Sequence, residues 1–386
     1  MESSRKTSRH KEIKKIMKRY GYLYEKIYDK DNLLKSHHIA RLGKGYYTDV
    51  IKVNSNEDYY INRIHDMLKN ETYFVDSSKY RHMTIIDKGK ERDIYKLAYY
   101  PHRIIQWAII LQIGKILQNS FIYDTYASIK GKGIHDAIKR IRKGLEDKEG
   151  TKYCLKIDMK KYYPNIDNHI LYKKLEKKFK DKKLLALLKQ IIFSMGEKGQ
   201  PIGSLWSQYA GNFYLSELDH LIKEKKGIKY YYRYCDDIVI LHSSKEYLHQ
   251  LRKEIQDYVK KELNLELKGN YQVFPTLVRG LDFLGYRFFN GYTLLRKKTL
   301  KGMKRKINKI KNKPILSFSD TCSLNSYAGW LKPCNSYYLK LKYLTPLIGK
   351  EHYQYDGTKG RLWQCTKLTK KIVPSTFIIP KKLLPL

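Results

Sequence analysis

The chain has 386 residues, of which 42% are hydrophobic, so it is long enough to bury a sizeable core and is not expected to be disordered. Its 78 Lys and Arg against 38 Asp and Glu give a formal charge of +40, far more than solubility requires. An AT-rich genome would enrich Lys, Tyr, Ile and Asn, but it would not by itself produce this excess over acidic residues. Composition therefore favours a folded protein with a polyanionic partner, nucleic acid in particular.

The five cysteines and the apolar runs indicate the cellular compartment in which the protein is expected. The cysteines are scattered, odd in number and form no C-x-x-C pair, which indicates a reducing compartment and no structural zinc. The N-terminal sequence lacks the apolar stretch of a signal peptide, and the run IIQWAIILQIG is interrupted by Gln106 and Gln112 and too short to cross a bilayer. We expect a soluble, cytoplasmic protein with no membrane partner.

The first 150 residues predict mostly helices and one pair of strands. Residues 1 to about 80 are polar with helical spacing, as in HKEIKKIMKRYGYLYEKIY. RHMTIIDKGKERDIYKLAYY predicts two strands around a basic turn at residues 88–92, followed after Pro101 by an amphipathic helix through Leu117. The loop SIKGKGIHDAI then opens a helix at about Ile134.

The middle of the chain alternates strands with helices. YCLKI (153–157) predicts a buried strand, residues 171–193 have helical spacing, and SQYAGNFYLSELDHLIKEK predicts one long helix after the loop GEKGQPIGSLWSQ. YLHQLRKEIQDYVKKEL predicts another amphipathic helix. LKGNYQVF and LDFLGYRFF predict one strand each.

From Arg296 to the end the chain is strongly basic, with 21 Lys or Arg against 3 Asp or Glu. KTLKGMKRKINKIKN predicts a basic helix of the kind that follows a phosphate backbone, although any single such helix could also be an ordinary solvated face. The concentration of charge at one end favours a segment that grips nucleic acid.

Two adjacent aspartates, Asp236 and Asp237, interrupt the stretch YYYRYCDDIVILHS. Aromatic and β-branched flanks around a short polar break predict a hairpin. The break has no Gly or Asn for a tight turn, and two like charges side by side repel unless a cation lies between them. At this point a plain turn and a metal site both remain open.

A third carboxylate, Asp158, follows the strand YCLKI. Antiparallel strands in one sheet would bring Asp158 beside Asp236, with the intervening helices covering the back of the sheet. Three converging carboxylates suit two Mg²⁺ ions, which prefer oxygen ligands. Such ions can activate an attacking hydroxyl and stabilise leaving pyrophosphate. A hydrolase would satisfy the same geometry.

These segments resemble the motifs of reverse transcriptases. KIDMKKYYPNID resembles polymerase motif A, GQPIGSLWSQ motif B, YCDD the Y-x-D-D of motif C, LDFLGYRFF the primer grip and KGKERDI the fingertip motif. The resemblance implies an α+β right-hand polymerase with a two-metal mechanism, acting on dNTPs, a template RNA and the RNA–cDNA hybrid. It also implies an N-terminal helical extension (1–80), fingers (81–150), a palm with an antiparallel sheet (151–290) and a mostly helical basic thumb with a C-terminal tail (291–386).

Motif B points to a subfamily. Its form I-G-x-x-x-S-Q, from Ile202 to Gln208, replaces the usual Q-G-x-x-x-S-P and resembles the enzymes of diversity-generating retroelements, as do KGKGIHDAI and SYAGWLKPCNSYYLK. This resemblance implies error-prone cDNA made from a template-repeat RNA, with errors opposite template adenines. It further implies a small accessory variability protein that binds the polymerase as an oligomer.

Carried over by position, the resemblance implies that Asp158, Asp236 and Asp237 are the catalytic residues and ligands of two Mg²⁺ ions, with Mn²⁺ as a possible substitute. The implied dNTP-binding residues are Lys90, Arg92, Tyr162, Tyr163, Ile202, Gly203, Gln208 and Lys268.

The implied dNTP contacts have different roles. Lys90 and Arg92, on the turn between two strands, would hold the triphosphate, Arg being suited to bidentate phosphate contacts, although each could be an ordinary exposed charge. The ring of Tyr163 would exclude a 2′-hydroxyl; Tyr162 could take that place instead, and either could be core. Lys268 would protonate the departing pyrophosphate.

Motif B contributes two further contacts. Gly203 would permit close backbone approach to the template–nucleotide pair. Ile202 offers only apolar contact where a glutamine would hydrogen-bond, so fidelity should be lower.

Three other functions compete with this one. A defence-associated bacterial reverse transcriptase would share the palm, and a group II intron-type enzyme would share it too but differs in motif B. A basic RNA-binding protein with an inactive polymerase fold is a different class, and the three intact aspartates count against it.

Overall fold

Helices and antiparallel strands make up the chain, which gives the α+β fold that the sequence predicts. The computed structural model describes residues 19–87, 89–313 and 316–347. The chain divides into two compact units, each built from two stretches of sequence. The first comprises Met1–Ile116 and Tyr163–Ala210, and the second Leu117–Tyr162 and Gly211–Leu386.

The helices of the described residues are α1 Tyr24–Tyr28, α2 Lys30–Ala40, α3 Thr48–Asn54, α4 Glu57–Lys69, α5 Ile104–Gln118, α6 Ile134–Leu145, α7 Tyr162–Asn165, α8 Asn168–Lys178, α9 Lys182–Phe193, α10 Leu205–Tyr214, α11 Ser216–His220, α12 Lys245–Leu263, α13 Thr276–Arg279, α14 Lys297–Ile310, α15 Phe318–Leu331 and α16 Tyr337–Tyr343. The strands are β1 Tyr80–Asp87, β2 Lys90–Leu97, β3 Tyr153–Asp158, β4 Tyr230–Tyr234, β5 Asp237–His242, β6 Gln272–Pro275, β7 Leu281–Phe283, β8 Tyr286–Phe288 and β9 Thr293–Leu295.

In the first unit, polar side chains fix the ends of the helices. Asp181 caps α9 by accepting a hydrogen bond from the backbone N–H of Leu184, and its other oxygen accepts from the N–H groups of Leu23 and Tyr24. One carboxylate therefore satisfies donors at the start of two helices, where backbone N–H groups have no partner within the helix.

Helix α5 carries the apolar run noted in the sequence, and the glutamines that interrupt it are bonded. The Gln106 side-chain oxygen accepts from the Ser204 hydroxyl and from the Leu205 N–H, both at 3.1 Å, which caps α10. Gln112 donates to the Asn32 side chain at 2.7 Å. In the described ranges no helix is both long and apolar enough to cross a bilayer.

Strands β1 and β2 form a hairpin whose register runs from Tyr80 opposite Leu97 to Asp87 opposite Lys90. The turn is therefore shorter than the predicted span of residues 88–92, and Gly89 in it adopts a φ of +79°. Because the ladder continues to Lys90, both Lys90 and Arg92 lie on β2 and not on the turn, which corrects the sequence-based placement.

In the second unit, a four-stranded sheet has the order β4-β5-β3-β6, and every neighbouring pair is antiparallel. The interior of β4 and β5 is buried, in keeping with their aromatic and β-branched residues. Helix α12 packs on the sheet through the apolar face Leu248, Leu251, Ile255 and Val259. The predicted strand, hairpin and helix are thus confirmed here.

Two predicted elements differ from the structure. The predicted helix over 207–225 is divided into α10, which ends at Tyr214, and α11, which begins at Ser216. The Ser216 hydroxyl donates to the Phe213 carbonyl at 2.7 Å, and such side-chain bonds compete with the helix backbone and bend helices. LDFLGYRFF is a hairpin, β7 and β8, and not one strand. Leu284 and Gly285 have φ of 54° and 87°, the positive values that two-residue hairpin turns require.

The C-terminal part of the described chain joins the sheet β7-β8-β9 to helices α14–α16 over a core that continues to the four-stranded sheet. The predicted basic helix is α14, which buries Met303, Ile307 and Ile310. Lys306 and Lys313 pair with Asp320 at 2.7 and 2.8 Å. The start of the predicted N-terminal helix, before residue 19, and the tail after residue 347 lie outside the described residues.

We expect Gly285→Ala to destabilise the protein more than Gly291→Ala. Both glycines have positive φ, which costs a residue with a Cβ about 1–2 kcal/mol. At Gly285 a Cβ would also lie 2.5 Å from the Trp330 ring, whereas at Gly291 it would meet nothing within 4 Å. Overpacking adds roughly 1–3 kcal/mol at Gly285. Urea unfolding measures both losses, and equal losses would contradict the close contact with Trp330.

Candidate active site

The register of the four-stranded sheet brings the three predicted aspartates together. Asp158, the last residue of β3, lies directly opposite Asp237, the first residue of β5. Tyr234 pairs with Asp237 across the β4–β5 hairpin, so Cys235 and Asp236 form its turn. The antiparallel pairing that the sequence predicts is confirmed, although the residue directly opposite Asp158 is Asp237 and not Asp236, which lies in the adjacent turn.

The hairpin turn itself differs from expectation. The absence of Gly and Asn argues against a tight two-residue turn, yet the structure has one, with Cys235 at a φ of 59°. A non-glycine residue in this region costs about 1–2 kcal/mol and persists only where the surroundings enforce it. The site therefore contains a strained backbone position directly before Asp236.

The carboxylates perturb one another. Burial raises the pKa of Asp236 to about 7, and the charges of Asp158 and Asp237 and a hydrogen bond to Asp158 act in the same direction. Burial also raises the pKa of Asp237, which the Lys156 ammonium opposes. Bringing these groups together costs free energy that a nearby cation would offset.

The three aspartates offer the donor type that Mg²⁺ prefers, which is carboxylate oxygen. Across the described residues, no group of three or more His, Cys, Asp and Glu side chains has the geometry to hold a metal ion. The Lys268 ammonium pairs with the Asp158 carboxylate instead. The donor atoms are thus of the type that Mg²⁺ prefers, and Lys268 pairs with one of the predicted ligands, Asp158.

Two lysines flank the aspartates, and the sequence interpretation found one of them. Lys268 is held in place by its backbone N–H, which donates to the Asp158 carbonyl at 2.8 Å. Lys156 was missed: its ammonium donates to the Asp282 carbonyl at 3.0 Å and lies 3.9 Å from an Asp237 oxygen. The alternation of side chains along a strand could have identified it, because Lys156 stands two residues before Asp158 and therefore lies on the same face of β3.

The predicted dNTP contacts on β2 and in motif B lie in the first unit, whereas the three aspartates and Lys268 lie in the second. The Ile202 carbonyl accepts a hydrogen bond from the Tyr95 N–H at 3.0 Å. Gly203, at a φ of 108°, is so close to β2 that a Cβ would lie 3.0 Å from the Ile94 side chain. The motif B loop is therefore fixed against the strand that carries Arg92.

The two candidate tyrosines have different surroundings. Tyr162 is 3% exposed, and its hydroxyl donates to the Gly211 carbonyl at 2.5 Å, so its ring belongs to the core of the second unit. Tyr163 is half-buried, and its carbonyl accepts from the Gln200 N–H of the motif B loop at 2.9 Å. Core packing of Tyr162 favours Tyr163 as the ring beneath the sugar, which stays a prediction.

The remaining predicted dNTP contacts are exposed side chains or lie outside the described part of the structure. Arg92 and Gln208 are exposed, on β2 and α10. The side chain of Lys90 lies outside the described part of the structure. Sequence reasoning also missed Gln106, whose cap on α10 fixes the end of the motif B loop; a glutamine inside an apolar helix was the available signal.

We expect Asp236→Asn to raise the melting temperature in EDTA by roughly 2–4 °C, because it removes one charge from the repelling cluster. Adding Mg²⁺ should raise the melting temperature of the wild type more than that of this variant. The matched control is Asp257→Asn, which removes an exposed carboxylate on α12 away from the cluster. Identical EDTA and Mg²⁺ responses of the two variants would show that the aspartates neither repel each other nor bind the ion.

The family profile described as reverse transcriptase (RNA-dependent DNA polymerase) matches residues 77–288, more than half of the chain. This range includes all three aspartates and the motif B loop. None of the curated proteins compared with the chain matches it.

Solved structures similar to the chain include telomerases from two yeasts. Candida albicans telomerase shares 14% identity over 76% of this chain and 62% of its own, with a TM-score of 0.44. Apo telomerase from Candida tropicalis shares 13% identity over 74% of this chain and 58% of its own, with a TM-score of 0.42. The chain thus covers less than two thirds of either telomerase. On the profile match, the chain belongs to the reverse transcriptase (RNA-dependent DNA polymerase) family.

Proposed function

We propose that the chain is an RNA-directed DNA polymerase whose two Mg²⁺ ions are held by Asp158, Asp236 and Asp237. The observation that carries this proposal is the antiparallel register that sets Asp158 opposite Asp237, with Asp236 in the adjoining turn. When bound, the ions would supply activation of the primer hydroxyl and stabilisation of the leaving pyrophosphate. Mn²⁺, which also accepts oxygen ligands, could replace Mg²⁺.

The side chains around the aspartates have complementary tasks in this proposal. Lys268, which pairs with Asp158 in the structure, would donate a proton to the pyrophosphate. Lys156 lies on the same face of β3 as Asp158, and its ammonium would balance the charge of Asp237 on the neighbouring strand and help to position it. Both lysines add positive charge where the polyphosphate accumulates negative charge.

Residues of the first unit would bind and select the nucleotide. Arg92 on β2, with Lys90, would hold the triphosphate, since a guanidinium makes bidentate phosphate contacts. The Tyr163 ring would exclude a 2′-hydroxyl and so select deoxynucleotides. Gly203 is exposed and has no side chain, which leaves room for the template–nucleotide pair. Gln208 would contribute from the following helix.

Helix α14 supports nucleic-acid binding. Its buried residues lie on one side, and the exposed Lys297, Lys301, Arg305 and Lys309 recur every four residues on another. Such a stripe of positive charge would neutralise phosphates and so grip the RNA–cDNA hybrid. We accordingly assign an N-terminal extension to residues 1–80, fingers to 81–150, palm to 151–290 and thumb and tail to 291–386.

The first experiment is extension of a DNA primer on a poly-rA template with Mg²⁺ and dTTP. We expect the wild type to extend it and Asp236→Ala to lose more than about 100-fold in rate, because a ligand of the ions is missing. Asp257→Ala, on the exposed face of α12, should extend normally. A wild type that extends no primer under varied conditions would favour a basic RNA-binding protein with an inactive polymerase fold.

Within this activity we propose error-prone copying of template adenines, as in diversity-generating retroelements. Support comes from Ile202, whose carbonyl is fixed to β2 while its half-buried side chain offers only apolar contact. A hydrogen-bonding residue there would penalise mispaired geometry, whereas an apolar one discriminates less. The template would be a template-repeat RNA, copied in the cytoplasm with an accessory variability-protein oligomer bound to the polymerase.

Ile202→Gln should reduce misincorporation opposite adenine by about fivefold, the effect of one hydrogen bond worth roughly 1 kcal/mol. Sequencing cDNA made from a defined RNA with all four dNTPs measures this. Ile202→Leu is the matched control, since it keeps an apolar side chain of equal size and should keep the errors. If wild-type errors are rare or spread over all four template bases, a defence-associated enzyme becomes the better assignment.

A further inference from the structure

Strand β4 of the β4–β5 hairpin carries a completely buried arginine two residues before Cys235. Arg233, on β4, has no exposed surface, and its Nε and Nη2 bind the Asp219 carboxylate at 2.7 and 2.6 Å. Its Nη1 donates to the carbonyl of Cys235 at 2.9 Å. The side chain thus reaches forward along its own strand to the strained turn residue.

The remaining donors of the guanidinium are also bonded. Nη1 donates to the side-chain oxygen of Asn212 and Nη2 to its carbonyl, both at 3.2 Å. Asp219 in turn accepts from the Tyr231 hydroxyl at 2.5 Å and from Thr125 at 3.3 Å. All five N–H donors of Arg233 therefore have partners, as a rigid planar fork allows and an ammonium does not.

The backbone of Arg233 is fixed as well. Its N–H donates to the Asp124 carbonyl at 3.0 Å, and its carbonyl accepts from the Tyr126 N–H at 3.1 Å. These bonds close the edge of β4 that β5 does not cover. Arg233 is therefore immobilised from both its backbone and its side chain, and it can transmit that rigidity to the turn.

Stability alone does not explain such a pair, because a buried salt bridge is often no more stabilising than apolar residues of the same volume. What the pair does fix is the carbonyl of Cys235, which belongs to the peptide group that joins Cys235 to Asp236. That peptide is planar, so holding its oxygen also sets the direction in which Asp236 leaves the turn. The positive φ of Cys235 needs such enforcement.

We infer that Arg233 is a positioning residue for the metal site: braced by Asp219 and Asn212, its guanidinium holds the Cys235 carbonyl and so directs Asp236 towards Asp158. The catalytic consequence rests on the proposed polymerase function. The effect on hairpin geometry and on ion binding does not require activity and is measured separately.

The test is Arg233→Lys in the full-length chain. Lysine keeps a charge for Asp219 but has one ammonium, which cannot hold the carboxylate and the Cys235 carbonyl together. We expect about tenfold weaker Mn²⁺ binding by electron paramagnetic resonance, faster hydrogen exchange at residues 234–237, and a kcat lowered at least tenfold with the dNTP KM changed less than about threefold. A milder variant, Asn212→Ala, keeps the ion pair and should shift all three in the same direction by less.

A rescue separates positioning from general loss of stability. Cys235→Gly makes positive φ inexpensive at the turn, so adding it to Arg233→Lys should restore part of the Mn²⁺ affinity and of kcat. The control is Asn264→Gly, which relieves a left-handed residue (φ 48°) at the end of α12 in the same unit. Whatever it does to thermal stability, it should restore neither ion binding nor kcat.

Two results would overturn the inference. In one, Arg233→Lys melts earlier but binds Mn²⁺ and exchanges hairpin amides as the wild type does; in the other, Asn264→Gly rescues as well as Cys235→Gly. If the wild type extends no primer, the proposed function fails, while Mn²⁺ binding and hydrogen exchange still decide the role of Arg233.

Discussion

The pairing of β3 with β5 is the constraint on which the candidate site depends. Because the strands are antiparallel and in a register that places Asp158 opposite Asp237, carboxylates 79 positions apart in sequence become neighbours. A slip of one residue would turn every side chain of β3 to the opposite face and send Asp158 away from the hairpin. The register is specified by the end of β3, where buried and polar residues alternate: Leu155 and Ile157 lie in the core, and Lys156 and Asp158 lie on the face of the site.

The charged groups at the candidate site lower the stability of the folded protein. Three carboxylates are brought together, the backbone before one of them is strained, and a buried arginine is bonded to further polar groups. Each of these features costs free energy that an apolar core would not, and such costs concentrate where function requires them. Lys156 and Lys268 offset part of the repulsion.

Much of the candidate site could be predicted from the sequence because the patterns that indicate it involve residues close together in the chain. β-Branched and aromatic runs predict strands, and an aspartate at a strand end keeps its position whatever surrounds it. The pairing of strands followed from their order and from the helices between them.

The turn at Cys235 was harder to predict, since its positive φ is enforced by Arg233, Asp219 and Asn212, which are brought together only by tertiary structure. The same limit applies to Tyr162 and Tyr163, adjacent tyrosines whose burial is decided by what packs on them. The break at Leu215 and the Leu284-Gly285 turn depended on single residues within otherwise regular patterns.

The order of strands in the central sheet has a consequence for how the chain folds during synthesis. β3 lies between β5 and β6, and both of its partners are made later, so its apolar residues leave the ribosome with neither edge covered. Pairing on both sides cannot be complete until residue 275 has been made, and the first compact unit likewise needs residues up to Ala210. Contacts this distant in sequence form slowly, and an uncovered apolar strand is prone to join a neighbouring chain. The interleaving that assembles the carboxylates therefore leaves β3 exposed to aggregation until its two partner strands have been made.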